Sequence, residues 1–254
     1  MGGCSCGWWL TLLETGRPPS DAVVAAMRGL VGAGHFPVLA TGRTLVGGIQ
    51  AAQWLGLRGA FLVTSNGAIT ARIAGGKVTI IERSSVDVEK VARYVAPKMR
   101  LRMAAEIPGH GYRVSARFQA HELSGVLQPS NLEGLWAAAT PRLSLAGSGA
   151  GWLVDDLRKM GMSAHCPHSE WVDVMDGKVS KSAALERVRV ALGIPSARTV
   201  AVGDGTNDVD MLRWAARGVA MGHASASVRE AANEVTGTIA EDGAVWALRS
   251  VIGR

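Results

Sequence analysis

The chain has 254 residues, of which 48% are hydrophobic and 19% charged, a balance typical of globular proteins rather than disordered or fibrous ones. Its formal net charge is +6, but the basic residues stand singly and lack the interleaved aromatic side chains of a nucleic-acid surface. This pattern favours a small phosphorylated metabolite as partner over nucleic acid, with a merely solvated basic surface as the alternative.

The amino-terminal segment carries two of the three cysteines, Cys4 and Cys6, and the third is the distant Cys166. This spacing provides neither a disulfide framework nor the paired ligands of a structural zinc site, so we expect a reducing, cytoplasmic location. No apolar run approaches the roughly 20 residues that a membrane-spanning helix needs. The glycines, cysteines and tryptophans up to Trp9 also predict a poor central strand.

Helices and buried strands alternate after this segment. The apolar spacing predicts a helix over 20–31, then buried strands over 36–40 and 60–63. Polar residues follow both strands, and ligands bind at the carboxyl ends of strands in open α/β sheets. These candidate residues are Thr41, Gly42, Arg43 and Asn66.

From about residue 71 to residue 168 the alternation changes, and we predict an inserted α+β domain. Its expected elements are strands near 78–81 and 142–146 and helices near 86–95 and 131–139.

Two glycine- and histidine-containing runs inside the insertion invite functional interpretations. In the run from Gly147 to Gly151 the third glycine comes too early for a dinucleotide-binding loop, so we predict a plain turn. His165, Cys166 and His168 are near-adjacent, but no second motif supplies the remaining metal ligand, and we predict a turn between two strands.

The last third returns to strand–helix alternation. We predict strands over 171–175 and 199–202 and an amphipathic helix that follows Lys181. Carboxylate and amide side chains follow the second strand directly before another helix, an arrangement that suits magnesium and a phosphate group. These side chains belong to Asp204, Asn207 and Asp208.

Four sequence motifs, in chain order "ATGR", "SNGA", "VSKSAAL" and "VAVGDGTNDVDML", lie at the predicted strand ends. In this order they resemble the motifs of the haloacid dehalogenase-type phosphatases, in the Cof-like sugar-phosphatase branch, although His223 stands where that branch usually has Asn. The resemblance implies a doubly wound, mostly parallel α/β core of the Rossmann-like type, formed by residues 1–70 and 169–254. Residues 71–168 would be an inserted α+β cap.

The resemblance also implies roles for individual residues in phosphoryl transfer. Thr41 would hydrogen-bond the transferring phosphoryl group, and Lys181 would neutralise its charge and position the nucleophile. The magnesium ion would be bound by Asp204, Asn207 and Asp208.

Gly42, Arg43 and Asn66 would shape the substrate entrance. The simpler alternatives are that Arg43 caps a helix at the surface and that Asn66 is an ordinary turn residue.

The chain departs from this family at the first motif, Asp-x-Asp-Gly-Thr, which supplies the nucleophile and the general acid/base. Aligning residues 11–13 with the family's Thr-Leu-Leu puts Gly7 and Trp9 at those two positions, and no acidic residue precedes Glu14. Cys6 is a poor substitute nucleophile because reactive cysteines need a specific electropositive setting. We therefore expect a magnesium-dependent phosphatase with impaired activity or a silent phospho-ligand-binding protein, with a dinucleotide-binding oxidoreductase as a third alternative.

Overall fold

The computed structural model describes residues 7–10, for which only the backbone is given, together with residues 17–119 and 121–252. The first part of the chain forms β1 (Gly7–Leu10), α1 (Asp21–Gly32), β2 (Phe36–Ala40), α2 (Leu45–Trp54), β3 (Gly59–Thr64), β4 (Ile69–Ala74) and β5 (Lys77–Arg83). The middle part forms α3 (Val88–Val95), β6 (Arg102–Ile107), β7 (Gly111–Val114), β8 (Val126–Pro129), β9 (Leu143–Ala146), α4 (Val154–Lys159), β10 (Met162–His168) and β11 (Trp171–Asp176). The last part forms α5 (Lys181–Ala191), β12 (Thr199–Gly203), α6 (Val209–Trp214), β13 (Arg217–Ala220), α7 (Ala226–Glu230), β14 (Glu234–Val235) and α8 (Gly243–Ile252). Within these described ranges no helix is long and apolar enough to cross a membrane.

The core domain is built on an eight-stranded sheet of order β14-β13-β12-β1-β2-β3-β4-β5. Its strands are parallel from β14 to β3, and β4 and β5 continue it in antiparallel fashion. One face packs against α1, α2 and α8, and the other packs against α5 and α6. This confirms the predicted doubly wound α/β core, in which ligands bind at the carboxyl edge of the strands.

β1 lies in the centre of this sheet, between β12 and β2, so the prediction of a poor central strand is wrong. Backbone hydrogen bonding on both sides outweighs the low strand propensity of its residues. The register pairs Gly7 with Thr199 and Phe36, the first residues of the two neighbouring strands. Gly7 therefore lies at the amino end of β1, whereas the sequence alignment puts it at the carboxyl edge.

The cap domain is built on a six-stranded sheet of order β10-β11-β9-β6-β7-β8. One face is covered by α3 and α4, which bury the apolar side chains of alternate strand positions. The opposite face carries the buried polar side chains that meet the core, together with an apolar cluster around Tyr112, Val114 and Phe118.

The boundaries between core and cap differ from the predicted ones, which were 70/71 and 168/169. The hairpin of β4 and β5 pairs with β3 in the core sheet, so the core continues to Arg83. β11 pairs with β9 and β10 in the cap sheet, so the insertion ends after Asp176. A strand has the same sequence pattern in either sheet, so the pattern cannot assign β4, β5 and β11 to the core or to the cap.

Two local predictions in the cap are also corrected. Instead of a helix over 131–139, only one 3₁₀ turn forms, Glu133–Leu135, where the Asn131 side chain accepts from the Gly134 amide at 2.9 Å. His165 to His168 continue β10, and the turn follows directly at residues 169–170. The run from Gly147 to Gly151 does form a turn, as predicted.

Candidate active site

Three loops meet at the carboxyl edge of the core sheet, after β2, β3 and β12. The Asn66 amide donates to the Thr41 carbonyl at 3.2 Å, and the Ser65 amide donates to the Arg43 carbonyl at 2.8 Å. The Arg43 amide in turn donates to the Thr41 hydroxyl at 3.1 Å. These bonds fix the first two loops against each other.

Asn66 turns inward from the second loop with a buried side chain. Ser65 and Asn66 both have left-handed backbone angles, with φ of 51° and 57°, a conformation that Asn tolerates better than most residues. Asn207 from the third loop donates to Asn66 Oδ1 at 2.8 Å. Asn66 Nδ2 is buried and has no hydrogen-bond partner among the described residues.

Glycines allow these loops to approach closely. A Cβ on Gly42 would lie 3.0 Å from Asn66 Oδ1 and 3.1 Å from Asn207 Nδ2. Gly67 has a φ of 104°, and a Cβ there would lie only 2.2 Å from the Ser180 carbonyl oxygen. The second loop is thereby held against the backbone that begins α5.

Lys181 is the first residue of α5, whose amino end is capped by the Ser180 hydroxyl. The side chain is buried, and Nζ donates to Asp208 Oδ1 at 2.5 Å. The other carboxylate oxygen, Asp208 Oδ2, accepts from the amides of Asp204 and Gly205, both at 3.0 Å. Asp208 therefore orders the third loop and orients the lysine ammonium.

Asp204 points away from this pair and is about one-third exposed, with Oδ2 3.2 Å from His223 Nε2. In the described part of the chain, no three His, Cys, Asp or Glu side chains are grouped as metal ligands. Mg²⁺ is nevertheless bound by one or two carboxylates when waters and a substrate phosphate complete its shell. Asp204, with the nearby Asn207, fits such a partial site, whereas both Asp208 oxygens already accept hydrogen bonds.

The structure thus brings the predicted site residues to one edge of the core sheet: Thr41, Gly42, Arg43, Asn66, Lys181, Asp204, Asn207 and Asp208. Thr44 caps α2, so the alternative that Arg43 caps this helix is wrong. The Arg43 side chain packs on Gly47, and burial lowers the pKa of its guanidinium. Asn66 is a turn residue, and its buried side chain also contacts Asn207 of the third loop.

The cap contributes polar residues next to this edge that the sequence patterns do not predict. Glu106, Arg142 and Asp173 are buried on the face of the cap sheet that meets the core. His165 lies beside Asp173 on the neighbouring strand. Burial lowers the pKa of His165, and both Asp173 and the core residue Lys181 are near enough to influence it. The sequence does carry one indication of them, the alternation of apolar and polar residues along the cap strands. These polar side chains occupy the alternate positions and so point to the face opposite the apolar ones.

The region of the first motif contributes no carboxylate in β1, whose residues are Gly7, Trp8, Trp9 and Leu10. Cys6, Glu14 and residues 11–13, on which the remaining first-motif predictions depend, lie outside the described residues.

A sequence model described as haloacid dehalogenase-like hydrolase matches residues 11–107 and 159–248 of this chain. A 5-amino-6-(5-phospho-D-ribitylamino)uracil phosphatase from Bacillus subtilis is 34% identical over 82 residues, which are 30% of each protein. A phosphoglycolate phosphatase from Archaeoglobus fulgidus is 42% identical over 76 residues, which are 30% of this chain and 34% of the relative. The matched segments thus span about a third of these relatives.

The fold extends the likeness over nearly the whole chain. A solved structure of a phosphatase of the haloalkanoate (HAD) enzyme superfamily from Bacteroides thetaiotaomicron superposes with a TM-score of 0.80. The superposition covers 98% of this chain and 94% of that one, at 22% identity.

Proposed function

The chain belongs to the haloacid dehalogenase-like hydrolases, and from this premise we propose that it binds phosphate monoesters of small metabolites together with magnesium. The binding site is the carboxyl edge of the core sheet, where the loops after β2, β3 and β12 meet. In its present sequence the chain hydrolyses such esters negligibly.

The proposal rests on the buried donor Asn66 Nδ2, which has no hydrogen-bond partner among the residues that the structure describes. A buried donor without a partner is costly, and a ligand oxygen would satisfy it. Asn207 fixes the Asn66 amide with Nδ2 directed away from itself. Beside it, Thr41 supplies a hydroxyl and Lys181 a buried ammonium, so the edge offers donors and positive charge to an oxyanion.

Magnesium would be held by Asp204 and Asn207 and would supply neutralisation of the phosphate charge. Lys181 would share that task, and its orientation is set by Asp208. Thr41 would orient the phosphoryl group by hydrogen bonding.

Negligible hydrolysis follows from the missing first motif. Alignment and charge neutralisation lower the barrier only when a nucleophile is present to attack. Neither Gly7 nor Trp9 carries a carboxylate, and the register places Gly7 five residues before the level of Asp204, roughly 16 Å along the strand. A catalytically silent phospho-ligand-binding protein is the alternative to an impaired phosphatase. Its function would need only the binding residues named above.

The test separates binding from turnover. Inorganic phosphate is titrated into the chain in the presence of Mg²⁺ by calorimetry, and the release of phosphate from a panel of monoesters is followed. We expect measurable phosphate binding and no turnover above background. A chain that binds no phosphate would contradict the proposed site, and turnover abolished by Asp204→Ala would contradict the proposed loss of activity.

A matched pair of variants locates the site. Asn66→Asp keeps the shape, the acceptor for Asn207 and the tolerance of positive φ, but it replaces the Nδ2 donor by an oxygen. We expect it to weaken phosphate binding at least about tenfold, through a lost donor and like-charge repulsion. Asn131→Asp makes the same change at the 3₁₀ turn of the cap and should leave phosphate binding unchanged.

A further inference from the structure

The cap sheet places a group of buried polar side chains against the core, which we call the junction cluster. Cross-strand pairing puts them on one face, because paired residues of neighbouring strands point to the same side: Asp173 pairs with Ser144, and Glu106 pairs with Tyr112. The junction cluster consists of Glu106, Tyr112, Arg142, Ser144 and Asp173, all of them buried.

Among the described residues that form the junction cluster, Arg142 is the only cation. Its guanidinium donates to the Tyr112 hydroxyl at 2.6 Å and to Asp173 at 3.4 Å. Nε lies 3.4 Å from Glu106 Oε2. The Ser144 hydroxyl donates to the other Asp173 oxygen at 2.6 Å. Within the cap, two carboxylates therefore share a single arginine.

The same side chains reach across to the core. Arg142 Nη1 donates to the Gly42 carbonyl at 2.5 Å. Glu106 accepts from the Ser65 hydroxyl at 2.7 Å and from the Leu45 amide at 3.4 Å. Gly42 and Ser65 belong to the two loops that hold Thr41 and Asn66, and Leu45 is the first residue of α2, which follows the first of these loops.

These contacts are costly to maintain, since burying charges carries a desolvation penalty that attraction only partly offsets. Burial raises the pKa of Glu106, although Arg142 opposes the shift. Burial also disfavours the charge of Arg142, but Asp173, Tyr112 and Glu106 outweigh it and raise the pKa of the guanidinium. Apolar side chains would close the same junction without this penalty, but they could not bind a carbonyl oxygen or an amide of a loop.

Hydrogen bonds connect the junction cluster to the candidate active site. Gly42 follows Thr41 directly, and Ser65 precedes Asn66, which is bonded to Asn207 of the third loop. We propose that Arg142 and Glu106 are positioning residues that make the geometry of the Thr41 and Asn66 loops depend on the docked cap. The inference rests on the proposed function, because it assigns a regulation to that same site: the loops are ordered for a phospho-ligand only while the cap is seated.

Amide hydrogen exchange of the unliganded chain tests this coupling. In Arg142→Met, we expect amides of 42–45 and 65–68 to exchange at least about tenfold faster. Amides in the middle of the cap sheet, at 143–146 and 172–174, should keep their protection. Arg102→Met is the matched control, because Arg102 lies in the same sheet but pairs with Glu122 of the cap, and it should leave the core loops unchanged.

A second variant separates the contact from a stranded charge. Arg142→Met combined with Glu106→Gln removes the cation and one carboxylate together, and the core loops should still exchange faster. Unchanged loop exchange in both variants, or equal acceleration in the cap sheet and the loops, would overturn the proposal.

Phosphate distinguishes the failure of this inference from the failure of the proposed function. In the unmodified chain, inorganic phosphate with Mg²⁺ should slow exchange in 42–45 and 65–68, and this protection should shrink in Arg142→Met. Absence of phosphate protection, with accelerated loops in Arg142→Met, would refute the ligand but keep the coupling. Phosphate protection that is equal in both chains would refute the coupling and keep the ligand.

Discussion

Two groups of buried charges lie on either side of the junction between core and cap, and they are built differently. In the core, Lys181 and Asp208 are both almost fully buried and form an ion pair. In the cap, Arg142 is shared by Glu106 and Asp173, so the carboxylates outnumber the cation. The core pair joins one ammonium to one carboxylate, whereas in the junction cluster two carboxylates lie against one guanidinium.

The core pair and the junction cluster should therefore differ in how well they tolerate the loss of a charge. Removing either member of the core pair leaves the other charge buried without this ion-pair partner, which is costly. Asp208 also accepts two backbone amides, so its loss would release the loop as well. In the junction cluster, burial already favours the neutral form of Glu106, and a neutral side chain of the same shape should fit.

The largest effect is expected from breaking the core pair. Lys181→Met leaves Asp208 buried without its cation and should lower the free energy of unfolding by about 3–5 kcal/mol. Urea unfolding followed by circular dichroism measures this change. Asp210→Asn is the control: Asp210 accepts from the Ser182 amide and hydroxyl nearby but is only half-buried, and its variant should lose much less. Equal losses in both variants would show that burial of the pair is not the cause.

A smaller effect is expected from Glu106→Gln in the junction cluster. The Gln carbonyl oxygen can still accept from the Leu45 amide, and its NH₂ group can donate to the Ser65 hydroxyl, which now accepts instead of donating, so the cost at neutral pH should stay below about 1 kcal/mol. Arg142, Asp173 and Tyr112 face this carboxyl group, and its folded pKa is raised above the ordinary 4.5.

The sign of the pH dependence follows from that shift. A raised folded pKa means that the folded state binds the proton more tightly. The stability contributed by protonated Glu106 is fully present below pH 4.5 and is lost as the pH rises through the folded pKa. The cost of Glu106→Gln should therefore shrink with rising pH, which unfolding curves between about pH 5 and pH 8 can measure. A cost that grows with pH would contradict the proposed surplus of carboxylate.

No effect on turnover is expected from restoring acidic residues where the alignment puts them. Gly7→Asp with Trp9→Asp supplies two carboxylates, but the register sets Gly7 at the amino end of β1, remote from Asp204 and Thr41. Hydrolysis of a phosphate monoester with and without Mg²⁺ is the measurement, with circular dichroism to verify folding. Magnesium-dependent turnover would show that β1 takes the register of the alignment instead.

Much of the core site could be predicted because its residues follow strands that are apolar throughout. A strand buried on both faces has a continuous apolar pattern, and its end is marked where Thr41 or Asp204 begins a polar loop. The sequence of a strand does not show which strands will be its neighbours in the sheet. The predicted boundaries therefore put β4, β5 and β11 in the wrong domain. The register of β1 depends on the same long-range pairing.

The junction cluster could not be predicted from the sequence, for a different reason. Glu106 and Asp173 look like ordinary outward-facing strand residues, since a half-buried strand alternates apolar and polar side chains. Only the packing of the cap against the core turns that polar face inward. Buried charges of this kind follow from tertiary contacts between segments far apart in the chain, as the hydrogen bond from Arg142 to the Gly42 carbonyl illustrates.

The central place of β1 governs the order in which the chain can complete its domains during synthesis. β1 pairs with β12, whose residue Thr199 is made 192 positions after its partner Gly7. The cap strands are all contained within residues 102–176, so the cap sheet can close while β12 is still being translated. Until then one edge of β1 is without its neighbour, and an unpaired edge in a nascent chain is prone to pair with another molecule. We therefore expect the cap sheet to be able to fold before the core sheet is complete, with the edge of β1 that awaits β12 as the point most exposed to mispairing.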